Sequence, residues 1–395
     1  MDVPTSFFLI GGIIFIGFLG SLFFQKTKIP DVLMLMILGM LIGPVFHVVE
    51  PASFSGITPY FAALALIILL FEGGLGLNLF KVLNEISKAT GFTVMIFLFT
   101  VAITGFVMST FFSWNVYHGF LLGAVLGGSS SAIVIALLNR AKVPGNVKTL
   151  LTLESALTDV LCIIVTISLI DVILSNSLSL SAVGNSLLGS FSIAAVIASI
   201  FGIVWFKLLK NFGGFEYGYL LTLAVTFILY AFVESIKANG AVAALVFGLM
   251  LSNAPDVAKM LRLRGDYAIK RAIITFHREI AFFIKTFFFV YVGILIDLNS
   301  ITNISFVFMS LSVVFGIVLA RRLGVCIFGR FSEDVRENSP IINGMMPRGL
   351  AAAVLASLPA SMGLQIDGFV DIAFLGIIAT NIITTVSTYY GAKDN

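Results

Sequence analysis

The stretch TLLTLESALTDVLCIIVTISLIDVIL, residues 149–174, decides the fold class. It is long enough to cross a bilayer, because a membrane-spanning helix needs about 20 predominantly apolar residues. It nevertheless contains Glu154 and Asp159. An ionised side chain at the bilayer centre costs about 2.5–3.5 kcal/mol on insertion scales, and such groups are usually retained for function. The stretch therefore predicts a transmembrane helix that carries a functional acid.

The composition places most of the chain in lipid. Hydrophobic residues make up 59% of it, charged residues only 11%, and the mean hydropathy is +1.10. Because soluble globular domains carry about 25% charged residues, one water-facing fold is excluded. Nucleic acid is excluded as a partner, since no soluble basic face exists to hold phosphates. Cys162 and Cys326 stand in apolar runs and predict buried thiols, and we expect no disulfide framework, cysteine metal site or bound cofactor.

Apolar runs predict an all-α polytopic membrane protein with thirteen transmembrane helices. The spans lie near 6–24, 31–49, 60–80, 91–112, 117–139, 149–174, 186–209, 215–236, 239–253, 272–297, 303–328, 341–361 and 366–390. With the N-terminus outside, seventeen of the 23 Lys and Arg residues fall in inward loops and only Lys237 in an outward one. Short cytoplasmic loops carry such an excess, which predicts a cytoplasmic C-terminus in the cell membrane. Lys285 and Arg278, near the inward end of span ten, are expected to snorkel to the headgroups.

Two predicted spans have weak interiors. Span five contains the run Gly127 to Ser131, and span twelve contains Met346 to Gly349. Each is the middle of a three-helix set, spans four to six and eleven to thirteen, and the two sets have opposite orientation. Paired interrupted helices of this kind indicate inverted repeats and a transport site at the bilayer midplane.

Glu154 and Asp159 are predicted to have different roles. They are five residues apart, roughly 140° around a helix with 3.6 residues per turn, so they cannot easily face one target. Ser155 is four residues before Asp159 and shares its face, and we expect this face to meet the ion. A buried unpaired charge is strongly destabilising, so Glu154 needs a fixed cation, for which Arg321 in span eleven is the candidate. A structural ion pair remains the alternative for either acid.

The interrupted helices supply further candidate groups. Carbonyls and hydroxyls of Ser129 and Ser130 are suited to replace part of the hydration shell of a small, hard cation. Arg348 is expected to compensate the carbonyl ends of the broken helices, which carry about half an elementary charge. Glu72, about mid-depth in span three, is expected to line the ion path. Close helix packing by small residues remains the alternative for the serine run, as does a structural role for Glu72.

Five motifs, in order along the chain, resemble the sodium/proton antiporter branch of the monovalent cation:proton antiporter superfamily. They are Leu-Phe-Glu72-Gly-Gly-Leu, Glu154-Ser155-x-x-Thr158-Asp159, Lys285-Thr-Phe-Phe-Phe-Val-Tyr-Val-Gly, Ala320-Arg321-Arg322-Leu-Gly-Val and Pro347-Arg348-Gly. Each motif alone is weak, but five in sequence at matching positions in the topology are specific.

The resemblance implies a homodimer with a thirteen-helix inverted-repeat fold, in which a core domain moves against a dimerisation domain like an elevator. The implied segments are dimerisation 1–88 and 213–300, core transport 89–176 and 301–395, and a linker helix 177–212. The acid at the position of Asp159 binds cation and proton in turn. The acid at the position of Glu154 pairs with the arginine at the position of Arg321.

The resemblance also implies ion ligands at Ser155 and Ser129, and a carboxylate near the path at Glu72. Two positions depart from the family pattern. Thr158 stands where the family usually has Asn, and Ser129–Ser131 stand where it usually has Thr-Asp-Pro. Both changes touch the cation site, of which Thr158 is itself a candidate ligand, so potassium is a live alternative to sodium.

Together these features favour a secondary antiporter that exchanges Na⁺ or Li⁺ for H⁺, with membrane lipid as its surroundings, rather than an enzyme. With Glu154 held by Arg321, one free acid predicts one-for-one, electroneutral exchange. Intramembrane proteolysis is disfavoured because no histidine lies near Ser129 in depth and no His-Glu-x-x-His motif is present. A passive channel is disfavoured because it needs no proton-titrating acid at its ion site. An organic-anion transporter is disfavoured because the sequence lacks polar clusters of the size of such a substrate.

Overall fold

The described part of the chain is entirely helical apart from turns and loops. The computed structural model describes residues 3–27, 29–50, 58–76, 79–138, 143–175, 180–211, 217–263, 265–296, 298 and 303–391. The α-helices are α1 Val3–Thr27, α2 Asp31–Met40, α3 Thr58–Gly76, α4 Leu79–Phe112, α5 Val116–Val125, α6 Ser131–Leu138, α7 Gly145–Ser175, α8 Leu180–Asn211, α9 Gly218–Ser235, α10 Gly240–Ser252, α11 Ala254–Met260, α12 Arg271–Leu295, α13 Ile304–Gly329, α14 Glu333–Glu337, α15 Ser339–Gly344, α16 Leu350–Ser361 and α17 Phe369–Gly391. A π-helical turn, Leu41–Val45, continues α2.

Seven helices within the described ranges are long and apolar enough to cross a membrane. They are α1, α4, α7, α8, α9, α13 and α17, and the pair α10 and α11, bent by 79°, passes the same test when taken together. Helices suit this setting because every backbone N–H and C=O is then satisfied within the segment, where no water is available. The chain is therefore an all-helical, multi-pass membrane protein.

Helix ends differ from the predicted spans where hydropathy carries no information. Helix α4 begins at Leu79, twelve residues before the predicted span, because polar residues extend a helix without extending its apolar run. Asparagines fix other starts: the Oδ1 atoms of Asn115, Asn239 and Asn303 accept backbone N–H groups at the first turns of α5, α10 and α13.

The prediction of a buried Cys326 is wrong, since this thiol is exposed, as an apolar side chain can be when its solvent is lipid.

Some predictions fall on residues outside the described ranges. The basic loop residues concerned are Lys28, Arg140, Lys142, Arg264 and Lys393. The segment boundaries predicted near 177, 213 and 300 lie outside them too.

The chain divides into two compact units, of which the first comprises residues 1–59, 87–175 and 285–395. In it, α5, α6 and α16 pack on α7, and α17 packs on α13, α15 and α16. Glycines allow the closest approaches between its helices. A Cβ on Gly39 of α2 would meet the carbonyl oxygen of Val290, and one on Gly293 would meet that of Met36, so α2 crosses the end of α12 in backbone contact.

The second unit comprises residues 60–86 and 176–284, where α10 packs between α8 and α9. It has a similar glycine crossing. A Cβ on Gly74 of α3 would meet the carbonyl oxygen of Leu245, and one on Gly248 of α10 would meet that of Phe71. Small residues of this kind are the usual means of bringing helices together in lipid, where apolar burial alone gives little driving force.

Candidate functional site

The candidate site lies in the first unit, where two non-helical segments meet α7. Residues 126–130 separate α5 from α6, and residues 345–349 separate α15 from α16. The two segments are joined directly, because the Ser130 N–H donates to the carbonyl oxygen of Pro347 at 2.7 Å. The Ser129 N–H donates to Thr158 Oγ1 of α7 at 3.1 Å. Backbone groups that a continuous helix would satisfy internally are thus satisfied by neighbouring segments.

Asp159 is half-buried on α7 and accepts a hydrogen bond from the Ser131 hydroxyl at its Oδ2 atom. Ser131 is the first residue of α6, so this bond ties the start of that helix to the carboxylate. No ion pair involving Asp159 occurs within the described part of the chain. Its hydrogen-bonding partners there are the hydroxyl and the backbone N–H of Ser131, both neutral, so neither cancels the charge of the carboxylate.

Glu154 has a different environment, five residues earlier on the same helix. Both terminal nitrogens of the Arg321 guanidinium donate to its carboxylate, Nη1 to Oε1 and Nη2 to Oε2, the latter at 3.0 Å. Arg321 Nε donates to the carbonyl oxygen of Ile342 at 3.0 Å. The two charged side chains are only 3% and 2% exposed. A bidentate, buried pair of this geometry neutralises both groups and fixes α13 against α7.

Arg348 is the second buried arginine of the site and is 3% exposed. Its Nη1 donates to the carbonyl oxygen of Met346 at 3.2 Å, and its Nε has no hydrogen-bond partner among the described residues. It is close enough to interact electrostatically with both Glu154 and Asp159. Its position supplies positive charge to the buried non-helical segment, next to the helix ends that flank it.

Helix α17 holds the second non-helical segment in place. Asn381 Nδ2 donates to the carbonyl oxygen of Arg348 at 2.7 Å and to that of Ile377 at 2.8 Å. Thr384 Oγ1 accepts from the Met346 N–H at 3.4 Å. Neither α17 residue was a candidate from the sequence, because a polar residue inside a long apolar helix is ambiguous until its neighbours are known.

The other candidate ligands are distributed around Asp159. Ser129 is buried, and within the part of the chain that the structure describes its Oγ has no hydrogen-bond partner. Ser155 is buried and its hydroxyl donates to the carbonyl of Thr152 at 3.0 Å. Thr158 is fully buried, and besides accepting from Ser129 it donates to the Ser155 carbonyl at 3.1 Å. Thr158 is therefore linked by hydrogen bonds to the backbones of both Ser129 and Ser155, next to Asp159 on α7.

The structure adds residues that sequence reasoning missed and separates others. Ser131 is the serine bonded to Asp159, although the sequence favoured Ser129 and Ser130 as ligands. Glu72 lies in α3, in the second unit, and is half-buried. Within the described ranges, no cluster of three or more His, Cys, Asp or Glu side chains could hold a resident metal ion.

The prediction that Lys285 snorkels to the headgroups is wrong. Its Nζ donates to Asp31 Oδ2 at 2.6 Å, and the Asp31 side chain is only 5% exposed. A buried carboxylate at the start of α2 holds the ammonium group, because leaving either charge unpaired would be more costly than confining the lysine side chain. Asp31 lies 254 positions earlier, and no local pattern relates the two.

The comparisons with known proteins agree with this architecture. A sequence model described as "Sodium/hydrogen exchanger, transmembrane" matches residues 12–390. The chain belongs to the sodium/hydrogen exchanger family. Members of this family are transporters rather than enzymes.

Individual relatives of this exchanger family member cover most of its length. The Na(+)/H(+) antiporter 1 of Methanocaldococcus jannaschii is 24% identical over 379 residues, which cover 93% of this chain and 85% of that protein. The K(+)/H(+) antiporter NhaP2 of Shewanella baltica is 25% identical over 406 residues, 98% of this chain but 66% of that protein. Among solved structures, the sodium proton antiporter MjNhaP1 from M. jannaschii at pH 8 matches with a TM-score of 0.80 and 25% identity, covering 100% of this chain and 97% of that one.

Proposed function

We propose that this protein is a secondary antiporter that exchanges Na⁺ or Li⁺ for H⁺, and that the Asp159 carboxylate carries either one. The observation that carries the proposal is the contrast between two acids on α7. Glu154 is held by a buried guanidinium, whereas Asp159 accepts from the hydroxyl of Ser131 beside a break between helices. Only an acid without a fixed cation can exchange one cationic partner for another.

Exchange follows from competition at this carboxylate. A proton or a metal cation neutralises Asp159, and either loaded form can move through the low-dielectric protein interior. The empty, charged form crosses poorly, because an unpaired carboxylate is strongly disfavoured away from water. Coupling therefore needs no second protein. The cation is cargo, with proposed ligands at Asp159, Ser155, Ser129, Ser130 and Thr158.

The proposal also covers the membrane topology, the domain motion and the oligomeric state. We propose thirteen membrane spans in two inverted repeats, with span five formed by α5 and α6 and span twelve by α15 and α16. The N-terminus lies outside and the C-terminus in the cytoplasm of the cell membrane, as the basic loops indicate. A core domain moves like an elevator against a dimerisation domain in a homodimer, and Glu72 lines the ion path. The likeness to the M. jannaschii structure supports these proposals.

The proposed stoichiometry is one cation for one proton. Arg321 neutralises Glu154 and leaves one titrating acid at the site, so the charge moved in each direction is the same. If a membrane potential alone drives cation uptake into vesicles that contain the wild-type protein, the electroneutral mechanism is wrong.

A K⁺/H⁺ antiporter of the same fold is the second candidate. It is favoured by the relatives named K(+)/H(+) antiporter NhaP2 and by three neutral serines at the break, which give the site less negative charge than an acid would. Size and field strength both contribute to selection between Na⁺ and K⁺, so the same ligands serve either function at different spacings.

The test is dissipation of a proton gradient in inverted vesicles, with Na⁺, Li⁺ and K⁺ added in turn. The wild type is expected to dissipate the gradient only when a transported cation is present, and Asp159→Asn is expected to abolish the effect. Asp171→Asn, an acid substitution near the C-terminal end of α7, is the matched control and is expected to leave exchange intact. Cation-dependent dissipation that persists unchanged in Asp159→Asn contradicts the proposal.

A further inference from the structure

Gly128 lies where the first non-helical segment comes closest to α7. A Cβ at this position would lie 2.7 Å from Cys162 Sγ, and 3.2 Å from the carbonyl oxygen of Thr158. Cys162 is 2% exposed, so its thiol is packed from all sides. The segment and the helix are therefore in contact with no room for one additional methyl group, since carbon atoms usually approach no closer than about 3.5 Å.

This contact is close to the atoms that surround Asp159. Cys162 is three residues after Asp159 and four after Thr158, so its side chain is a neighbour of each of theirs on α7. The segment continues from Gly128 through Ser129, whose N–H donates to Thr158 Oγ1. It is followed directly by Ser131, the first residue of α6, whose hydroxyl donates to Asp159. The separation at Gly128 and Cys162 thus fixes how far the oxygens of the segment stand from the carboxylate.

We propose that Gly128 and Cys162 form a steric spacer that sets the width of the cation site and so favours the smaller alkali cations. This inference rests on the function proposed above. Ligand distances distinguish hard cations by only a few tenths of an ångström, as between Mg²⁺ at about 2.1 Å and Ca²⁺ at about 2.4 Å. The nearest atom is the Cys162 thiol, which is packed from all sides, so a methyl group at position 128 must move the segment away from α7.

The neighbouring glycine provides a matched control. A Cβ on Gly127 would lie 2.6 Å from the ring of Phe97 on α4, so it crowds a different helix. Gly127→Ala and Gly128→Ala add the same methyl group to adjacent residues, but only the second acts against α7. Removing the thiol with Cys162→Ala should therefore relieve Gly128→Ala and leave any effect of Gly127→Ala unchanged.

The experiment measures the apparent KM for Na⁺, Li⁺ and K⁺ in proteoliposomes, together with the maximal rate. Gly128→Ala is expected to shift the ratio of apparent affinities towards K⁺ by about fivefold or more, roughly 1 kcal/mol of relative binding. Gly128→Ala/Cys162→Ala is expected to return the ratio to the wild-type value. Cys162→Val adds bulk from the α7 side and is expected to shift the ratio in the same direction as Gly128→Ala. It tests the spacer independently if the Gly128→Ala protein does not reach the membrane.

An unchanged ratio in both Gly128→Ala and Cys162→Val overturns the spacer. A shift that Cys162→Ala does not reverse, or that favours the smaller cations, overturns it as well. Failure of the proposed function has a different result, because the wild type then lacks cation-dependent exchange or keeps it in Asp159→Asn. A fall in maximal rate with an unchanged affinity ratio indicates a merely structural role and also counts against the spacer.

Discussion

Neutralising one member of the Glu154–Arg321 pair is predicted to destabilise the protein far more than replacing both. After Glu154→Gln, the buried guanidinium loses its counter-ion and keeps neutral partners, among them the Ile342 carbonyl oxygen, 3.0 Å from its Nε. Breaking a buried pair in this way costs about 3–5 kcal/mol. Glu154→Leu/Arg321→Met buries no charge. Because the Ile342 carbonyl oxygen still accepts from the Met345 N–H at 3.3 Å, the double variant should lose about 1 kcal/mol.

The assay is equilibrium unfolding of the purified protein in a titration with denaturing detergent, for the wild type, both single variants and the double variant. The double variant is expected to be more stable than either single variant by about 2–4 kcal/mol. It should also retain cation-dependent exchange, since Asp159 is unchanged. A double variant as unstable as the single ones would refute the charge-burial argument. A stable double variant without exchange would mean that Glu154 does more than neutralise Arg321.

Three further predictions follow from individual hydrogen bonds. Ser131→Ala removes a donor that stabilises the charged form of Asp159, so protons compete better with the transported cation. The pH of half-maximal exchange should therefore rise by about one unit in a vesicle flux assay, and a fall would contradict this. Lys285→Met leaves the Asp31 carboxylate buried without its cation and should lower the free energy of unfolding by about 1–3 kcal/mol. The loss is smaller than for a fully buried pair because the lysine side chain is 24% exposed. Adding Asp31→Leu should restore the free energy of unfolding, and no restoration would argue against the pair. Asn381→Leu removes both bonds donated by its amide and should lower stability by about 1–3 kcal/mol in the same unfolding assay, whereas a neutral result would mean that the segment at 345–349 does not depend on α17.

The features that could be predicted from sequence are those that depend on local pattern. Apolar length predicts membrane helices, and the five-residue spacing of Glu154 and Asp159 separates their directions on α7. Burying a charge in a membrane span is unfavourable, so such a chain has few intramembrane charges and offered few candidate partners for Glu154. In the structure the guanidinium that meets Glu154 is that of Arg321.

The features that escaped prediction depend on three-dimensional position. Three consecutive serines are equivalent in composition, and the backbone path at the break determines that Ser131 bonds to Asp159. The Ser129 Oγ atom, by contrast, has no partner in the described ranges. The bond between Lys285 and Asp31 joins residues 254 positions apart. Local propensity carries no information about such contacts, since they arise when helices pack.

Helix ends and glycines were also beyond sequence reasoning for physical reasons. Hydropathy reports where a segment is apolar and not where its hydrogen bonds end, so the start of α4 at Leu79 was missed. The sequence shows Gly128 as part of a weak helix interior. Only the position of Cys162 in space shows that a side chain at residue 128 would clash. In both cases the deciding quantity is a neighbour in space.

The central claim is that one carboxylate, Asp159, holds the cation and the proton in alternation. The most direct measurement is proton release from purified, weakly buffered protein when a transported cation is added at a pH where the site is protonated. The account predicts that one proton is released for each cation bound, that release saturates with the same dependence on cation concentration as exchange, and that Asp159→Asn releases none. Cation binding without proton release in the wild type, or undiminished release from Asp159→Asn, would contradict it.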